Sequence, residues 1–279
     1  MTNPEAPLRR HLYRYLETVE PTTVSGVVGV CLTGSLAAGF VDEHSDIDLT
    51  IVLGGDGAET DPDRLSETVL PASATVQRDT ALEKCSFDWD GVHIDVDVVL
   101  YDDLKADQWD LRTRWEYDNA EVLLDPTNQL EPHLAREVAF ADGEQEGLIK
   151  QYADEFLFTA QWDVHKACLR ESYRPAHRAA TRAADNGLSL FYLQAGEFIP
   201  RDKWIIAGLE RVPVVDREIR DLTWEATRVL ERDPADVHRR VRALQFLWER
   251  LKPLLVERQF IASDSLSWQA PPEELCLID

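Results

Sequence analysis

Two strand-like runs in this chain carry carboxylates at alternate positions of otherwise apolar sequence, and that pattern limits the folds open to it. The first, Asp46 to Leu53 (DIDLTIVL), holds Asp46 and Asp48; the second, Val92 to Tyr101 (VHIDVDVVLY), holds Asp95 and Asp97. Side chains alternate faces along a strand, so each acid pair shares one face while Ile47, Leu49, Val96 and Val98 turn to the other. Removing an ionised carboxylate from water is costly, and neighbouring carboxylates also repel. Something must offset that charge, and a divalent cation is the natural choice. Mg²⁺ is a hard ion that takes one or two carboxylates and completes its shell with waters and substrate phosphates. Taken singly, each pair also fits a solvated strand edge in so acidic a chain.

The segment upstream adds what the carboxylates lack. Val24 to Leu32 (VSGVVGVCL) is a β-branched apolar run that enters Thr33-Gly34-Ser35, as a buried strand does before a tight turn. Ten residues separate Ser35 from Asp46. Glycine lets the backbone approach a ligand closely, while N–H groups at the following helix start and the Ser35 hydroxyl can receive phosphate oxygens. If the two acid strands are neighbours, Asp46 and Asp48 meet Asp95 or Asp97 at one point. Carboxylates for metal facing amides for phosphate describe a nucleoside-triphosphate site. A Gly-Ser turn alone is usually just a turn; the joint pattern carries the information.

Around this segment, residues up to about 140 mix short apolar runs, turns and short helices. The spacing of Leu8, Leu12, Tyr13 and Leu16 predicts a helix over 7–20, and a short helix is expected over 62–70. Lys84 to Asp90 and Val92 to Tyr101 read as a hairpin about Asp90-Gly91, and Glu121 to Leu124 as a strand ended by Asp125-Pro126. From Gly143 the pattern is helical, with helices expected at 144–172, 176–196, 201–210, 216–231 and 234–261, separated by Pro175, Pro200, Pro213 and Pro234. Trp162 and Trp224 fall in helical patterns and are expected in the core. The fold class is therefore α+β: an N-terminal mixed-sheet domain (1–140), a C-terminal helical bundle (141–261) and an irregular tail (262–279).

Thr33-Gly34-Ser35, the ten-residue spacer, Asp46-Ile47-Asp48 and an acid on a later strand resemble the polymerase-beta-type nucleotidyltransferases. The wording Gly-Ser-Leu-Ala-Ala-Gly with Ser45-Asp-Ile-Asp-Leu, and a catalytic domain preceding a helical bundle, resemble the aminoglycoside and lincosamide members in particular. The specific likeness covers roughly residues 25–105. It implies an enzyme moving a nucleoside monophosphate, AMP from ATP, to a hydroxyl of an acceptor such as an aminoglycoside-like small molecule. It implies two Mg²⁺ ions on Asp46, Asp48 and a third acid; matching the third strand favours Asp95 over Asp97. It also implies a general base at Glu116, nucleotide contacts from Gly34 and Ser35, and one from Lys203 in an echoed Lys-Trp turn (PRDKW). Further phosphate contacts are expected among His165, Lys166, Arg170, Arg174, His177, Arg178 and Arg182, although arginine in an acidic helical protein usually pairs with carboxylates. Many small relatives carry Arg directly after Gly-Ser; here that position is Leu36. Rival readings are a nucleotide-binding regulatory module of the antitoxin type with a toxin partner, and AMP transfer to a protein.

Charge narrows the partners. The 52 acids (28 Asp, 24 Glu) against 29 bases (23 Arg, 6 Lys) give a net charge of −23. That field disfavours nucleic acid and anionic membranes. No run approaches the ~18 apolar residues of a membrane span, and residues 1–14 lack the apolar stretch of a secretory signal, so a soluble, cytoplasmic protein is expected. Cys31, Cys85, Cys168 and Cys276 form no Cys-x-x-Cys pair and are expected to be reduced. Abundant Asp with scarce Lys suggests adaptation to high salt, where screening within ~3 Å at 1 M makes acidic self-repulsion cheap. The melting temperature should therefore climb as KCl is raised from dilute buffer to molar concentration; a higher melting temperature in dilute buffer would contradict the halophilic reading.

Overall fold

The computed structural model describes residues 4–21, 26–54, 71, 74–79, 84–106 and 108–268. The chain divides into two compact units, Met1–Ala139 and Phe140–Asp279. The helix expected at 62–70 and Cys276 lie outside the described residues.

In the first unit, α1 (Glu5–Val19) precedes β1 (Val27–Thr33), the short α2 (Gly34–Ala38) and β2 (Ile47–Leu53). β3 (Thr75–Asp79), β4 (Lys84–Trp89), β5 (Val92–Leu100), α3 (Tyr101–Ala106), α4 (Leu111–Asp118), β6 (Glu121–Leu124) and α5 (Leu130–Glu137) follow. The six strands form one mixed sheet in the order β3-β4-β5-β2-β1-β6. Only the β2–β5 pairing is parallel among the described strands. Asp90 (φ 49°) and Gly91 (φ 81°) both adopt positive φ between β4 and β5. A tight hairpin of this twist demands that conformation, which is why the Asp-Gly dipeptide marks it.

The two sheet faces differ. One is apolar along its length: Leu32 of β1, Ile47, Leu49 and Ile51 of β2, Ile94 and Val96 of β5 and Phe87 of β4 are buried with Leu12 and Tyr15 of α1 and Leu36 of α2. His11 and Tyr15 of α1 stack edge-on against Trp89, and Arg9 donates to Glu121 at 2.6 Å. The other face is apolar only in part. Val28, Cys31 and Val52 pack there with Leu104, Leu130 and Leu134 of α3 and α5. Where β2 and β5 begin, it carries Asp48 and Asp95 instead.

The second unit is helical: α6 (Glu144–Phe158), α7 (Val164–Leu169), α8 (Tyr173–Ala195), α9 (Arg217–Thr227) and α10 (Pro234–Glu257). The single helix expected over 144–172 is interrupted. It widens into a π-helical turn at Thr159–Asp163 and stops at Leu169, with Glu171 in the left-handed region. Pro175 does not bound α8 but sits in its first turn, where no intrahelical N–H is required. The helix expected at 201–210 is a series of turns ending in a 3₁₀ segment, Ala207–Arg211. α9 and α10 open on Asp216 and Asp233, whose carboxylates accept from Ile219 and Asp236 backbone N–H at 2.9 Å.

Phe156, Phe191, Tyr192, Leu247 and Trp248 make the core of this unit. Arg240 is fully buried, donating to the carbonyls of Ala226 (2.7 Å) and His177 (2.9 Å) and to Thr181 Oγ1 (2.8 Å). Trp162 and Trp224 are not core residues: half or more of each is exposed. Helical periodicity placed them on an apolar stripe, but the inward-facing positions of their own segments are taken by Thr159 and Ala160 and by Ile219, Thr223 and Ala226.

Candidate active site

The register of the sheet brings the expected acids together. Thr33 of β1 pairs with Asp48 of β2, Asp48 with Asp95 of β5, and Asp95 with Ser86 of β4. Residues in register across a sheet project from the same face, so this row carries one threonine, two carboxylates and one serine side by side. Asp46, just before β2, completes a cluster in which one oxygen of each of Asp46, Asp48 and Asp95 lies within 4.8 Å of the others. Asp97 falls one pleat along β5, opposite Thr50, outside that cluster. Of the two alternatives for a third acid, the geometry selects Asp95.

The Gly-Ser bend abuts this row. Gly34 has φ +67°, and a Cβ on it would lie 1.9 Å from Asp48 Oδ2. Only glycine both adopts this conformation cheaply and leaves room for the Asp48 carboxylate beneath the bend. Ser35 opens α2 with 3% of its surface exposed, and its Oγ has no hydrogen-bond partner among the described residues. A buried hydroxyl left unpaired is costly, and this one directly follows the glycine that abuts Asp48. Leu36, the departure from the family pattern, is fully buried against the sheet. At this position the chain serves packing and supplies no cation.

Two residues escaped the sequence reading. Ser86 Oγ donates to Asp95 Oδ1 at 2.5 Å, and His93 places Nε2 at 3.3 Å from the same oxygen. The other ring nitrogen, Nδ1, lies 2.8 Å from Asp88 Oδ1. The hydrogen bond to Asp88 holds the His93 pKa above the usual imidazole value against the opposing effect of burial, with the charges of Asp95, Asp88 and Asp46 adding to it. Set between Asp88 and Asp95, the ring and Ser86 Oγ together orient Asp95. The hairpin contained the signal. A two-residue turn at Asp90-Gly91 puts Ser86 opposite Asp95 and Asp88 opposite His93, a pairing countable from the sequence.

The remaining expected residues are dispersed. Glu116 lies on α4, partly buried, outside the cluster of three aspartates; its neighbour Tyr117 is hydrogen-bonded to Thr50, and burial pushes that phenol above its usual range. Lys203 belongs to the second unit, exposed, with Nζ 5.2 Å from the Trp204 ring centroid. His177 is buried against Arg240, its pKa lowered first by burial and then by that guanidinium. Arg182 pairs with Asp163. Lys166, Arg170, Arg174 and Arg178 are exposed and His165 is partly buried.

A family model described as a nucleotidyltransferase domain matches residues 16–155, half of the chain. The chain belongs to the nucleotidyltransferase family. Among solved structures, a nucleotidyltransferase-like protein from Exiguobacterium sibiricum 255-15 is similar at 14% identity and a TM-score of 0.42, covering 89% of this chain and 81% of that one. The CdnC:HORMA-deltaN complex of E. coli MS115-1 is similar at 13% identity and a TM-score of 0.31, covering 94% and 92%. A search of curated proteins returned no match. The nucleotidyltransferase carries its acidic row, its Gly-Ser bend and the unpaired Ser35 hydroxyl inside the matched segment. These donors are hard oxygens, so they fit a hard divalent cation such as Mg²⁺.

The tight fit of Gly34 over Asp48 generates a test. Gly34→Ala must push the Asp48 carboxylate aside, so Mn²⁺ affinity measured by calorimetry should fall beyond the ~10–100-fold typical of losing an outer-shell partner. Ser86→Ala, which frees Asp95 without touching it sterically, should fall within that range. Wild-type Mn²⁺ affinity in Gly34→Ala would exclude Asp48 as a ligand.

Proposed function

We propose that this nucleotidyltransferase transfers AMP from ATP to a hydroxyl group of an acceptor in a Mg²⁺-dependent reaction. The observation that carries the reading is the convergence of Asp46, Asp48 and Asp95 within 4.8 Å against a glycine bend whose buried serine hydroxyl is unpaired among the described residues. Asp46 and Asp48 would hold one cation, and the same pair with Asp95 would hold a second. When bound there, the paired ions supply Lewis-acid stabilisation of the charge that develops at the α-phosphate and on departing pyrophosphate. Gly34 N–H and Ser35 Oγ receive triphosphate oxygens, and Lys203 contributes a further cation. Glu116 takes the acceptor hydroxyl proton as the acceptor oxygen bonds to the α-phosphorus and the α–β bridging bond breaks.

A small hydroxylated acceptor with cationic groups, of the aminoglycoside kind, suits a site walled by aspartates and agrees with the sequence resemblance. A protein acceptor or regulatory protein partner is the second reading. It is favoured by the exposed aromatic side chains Phe158, Trp162 and Trp224 of the helical unit. No helix among the described residues is long and apolar enough to cross a membrane, and we place the reaction in the cytoplasm.

Incubating the full chain with α-labelled ATP, Mg²⁺ and molar KCl against hydroxylated amines, proteins and tRNA should release pyrophosphate and label one acceptor class. Asp46→Asn or Asp48→Asn should abolish transfer with the fold intact, and Lys203→Ala should raise the KM for nucleotide. Wild-type-like turnover by either aspartate variant would refute the assignment, and an unchanged KM would remove Lys203 from the site.

A further inference from the structure

The second unit distributes its cations in two ways. Several arginines there face a carboxylate: Arg220 faces Glu210, Arg228 and Arg239 face Glu225, and Arg250 faces Asp216. One cleft gathers cations instead of pairing them. Lys166, Arg170, Arg178 and Arg182 line a cavity of about 450 Å³ together with Asp163 and Ser172. Arg182 is paired with Asp163 at 2.7 Å. Lys166, Arg170 and Arg178 have no ion-pair or side-chain hydrogen-bond partner among the described residues.

The local arrangement concentrates positive charge. Lys166 and Arg170 stand four residues apart at the end of α7, and Arg178 and Arg182 four apart near the start of α8. Like charges at that spacing on a helix repel. Four cations less one carboxylate leave the lining at +3 in a chain whose net charge is −23. Carboxylates are abundant in this sequence, yet none but Asp163 lines the cleft, and the first turn of α8 contains no acidic residue.

We propose that this cleft binds a small, multiply phosphorylated molecule, free of metal, as a ligand additional to the donor nucleotide. Guanidinium groups present paired donors that match phosphate oxygens, and the volume falls among those of small-molecule sites. A triphosphate already neutralised by divalent cations retains too little charge to require three further unpaired cations. The cleft's single carboxylate is engaged by Arg182 and offers no metal site, so its complement is a bare polyanion. A cationic acceptor is repelled here. A nucleic acid is a poor match, because four cations are a small patch against the field of the whole chain. The inference rests on the second unit alone and stands independently of the catalytic reading.

Calorimetric titration of inorganic tripolyphosphate into the full chain, in EDTA and at the lowest KCl that preserves the circular-dichroism spectrum, tests it. One site per chain is expected, weakening as KCl rises and losing about tenfold or more in affinity in Arg170→Glu and in Arg178→Glu. Both side chains are exposed, and Arg178→Gln provides a milder variant should either reversal disturb the fold. In a parallel titration, Mg²⁺–ATP should bind Arg178→Glu as it binds wild type. No binding by wild type, equal affinity in the variants, or a matching loss of Mg²⁺–ATP binding (which would assign the cations to the donor's own triphosphate) each overturns the proposal.

Discussion

Three carboxylates held within 4.8 Å of one another at the end of a sheet are the constraint around which the first unit is organised. Left to themselves they repel, and each loses part of its hydration. The fold places them where that cost is bearable. They emerge where β2 and β5 begin, on the face whose far end is closed by Val28, Cys31 and Val52, while the opposite face is apolar throughout. The sheet is thus anchored by burial on one side and along half of the other, and the charged row occupies the remainder. The parallel β2–β5 pairing sets Asp48 beside Asp95, and His93 with Ser86 holds the latter from the hairpin side.

The Gly-Ser bend belongs to the same constraint. A side chain at Gly34 would collide with Asp48, so the bend and the carboxylate row form one unit of geometry. The residue after Ser35 illustrates how the chain divides labour there. Leu36 is spent on the core against α1 and the sheet, so in the proposed reaction the phosphate contacts of this turn fall to backbone N–H and the Ser35 hydroxyl.

The meeting of the aspartates with the glycine bend was legible in the sequence because its determinants are local. Strand alternation puts Asp46 and Asp48 on one side, the Asp90-Gly91 turn sets the hairpin register, and family resemblance supplies the partner acid. The choice between Asp95 and Asp97 required the β2–β5 register, which is non-local. The mixed sheet followed by helices was legible from the change in hydrophobic period. The helical unit was less so at its breaks. The π-helical turn at Thr159–Asp163 keeps an apolar spacing close to that of an α-helix. The stretch between Pro200 and Pro213 has helix-compatible composition, yet it folds into turns and a 3₁₀ segment. Trp162 and Trp224 show that an aromatic in a helical stripe does not reveal which stripe faces inward.

The central claim is that the aspartate row is a divalent-cation site joined to the Gly-Ser bend. The most direct measurement is an anomalous-scattering map from crystals of the full chain soaked with Mn²⁺ and a non-hydrolysable ATP analogue. The account predicts manganese density coordinated by Asp46, Asp48 and Asp95, with phosphate density at Ser35. Manganese bound elsewhere, or a well-ordered nucleotide whose phosphates avoid both the aspartates and the bend, would contradict it.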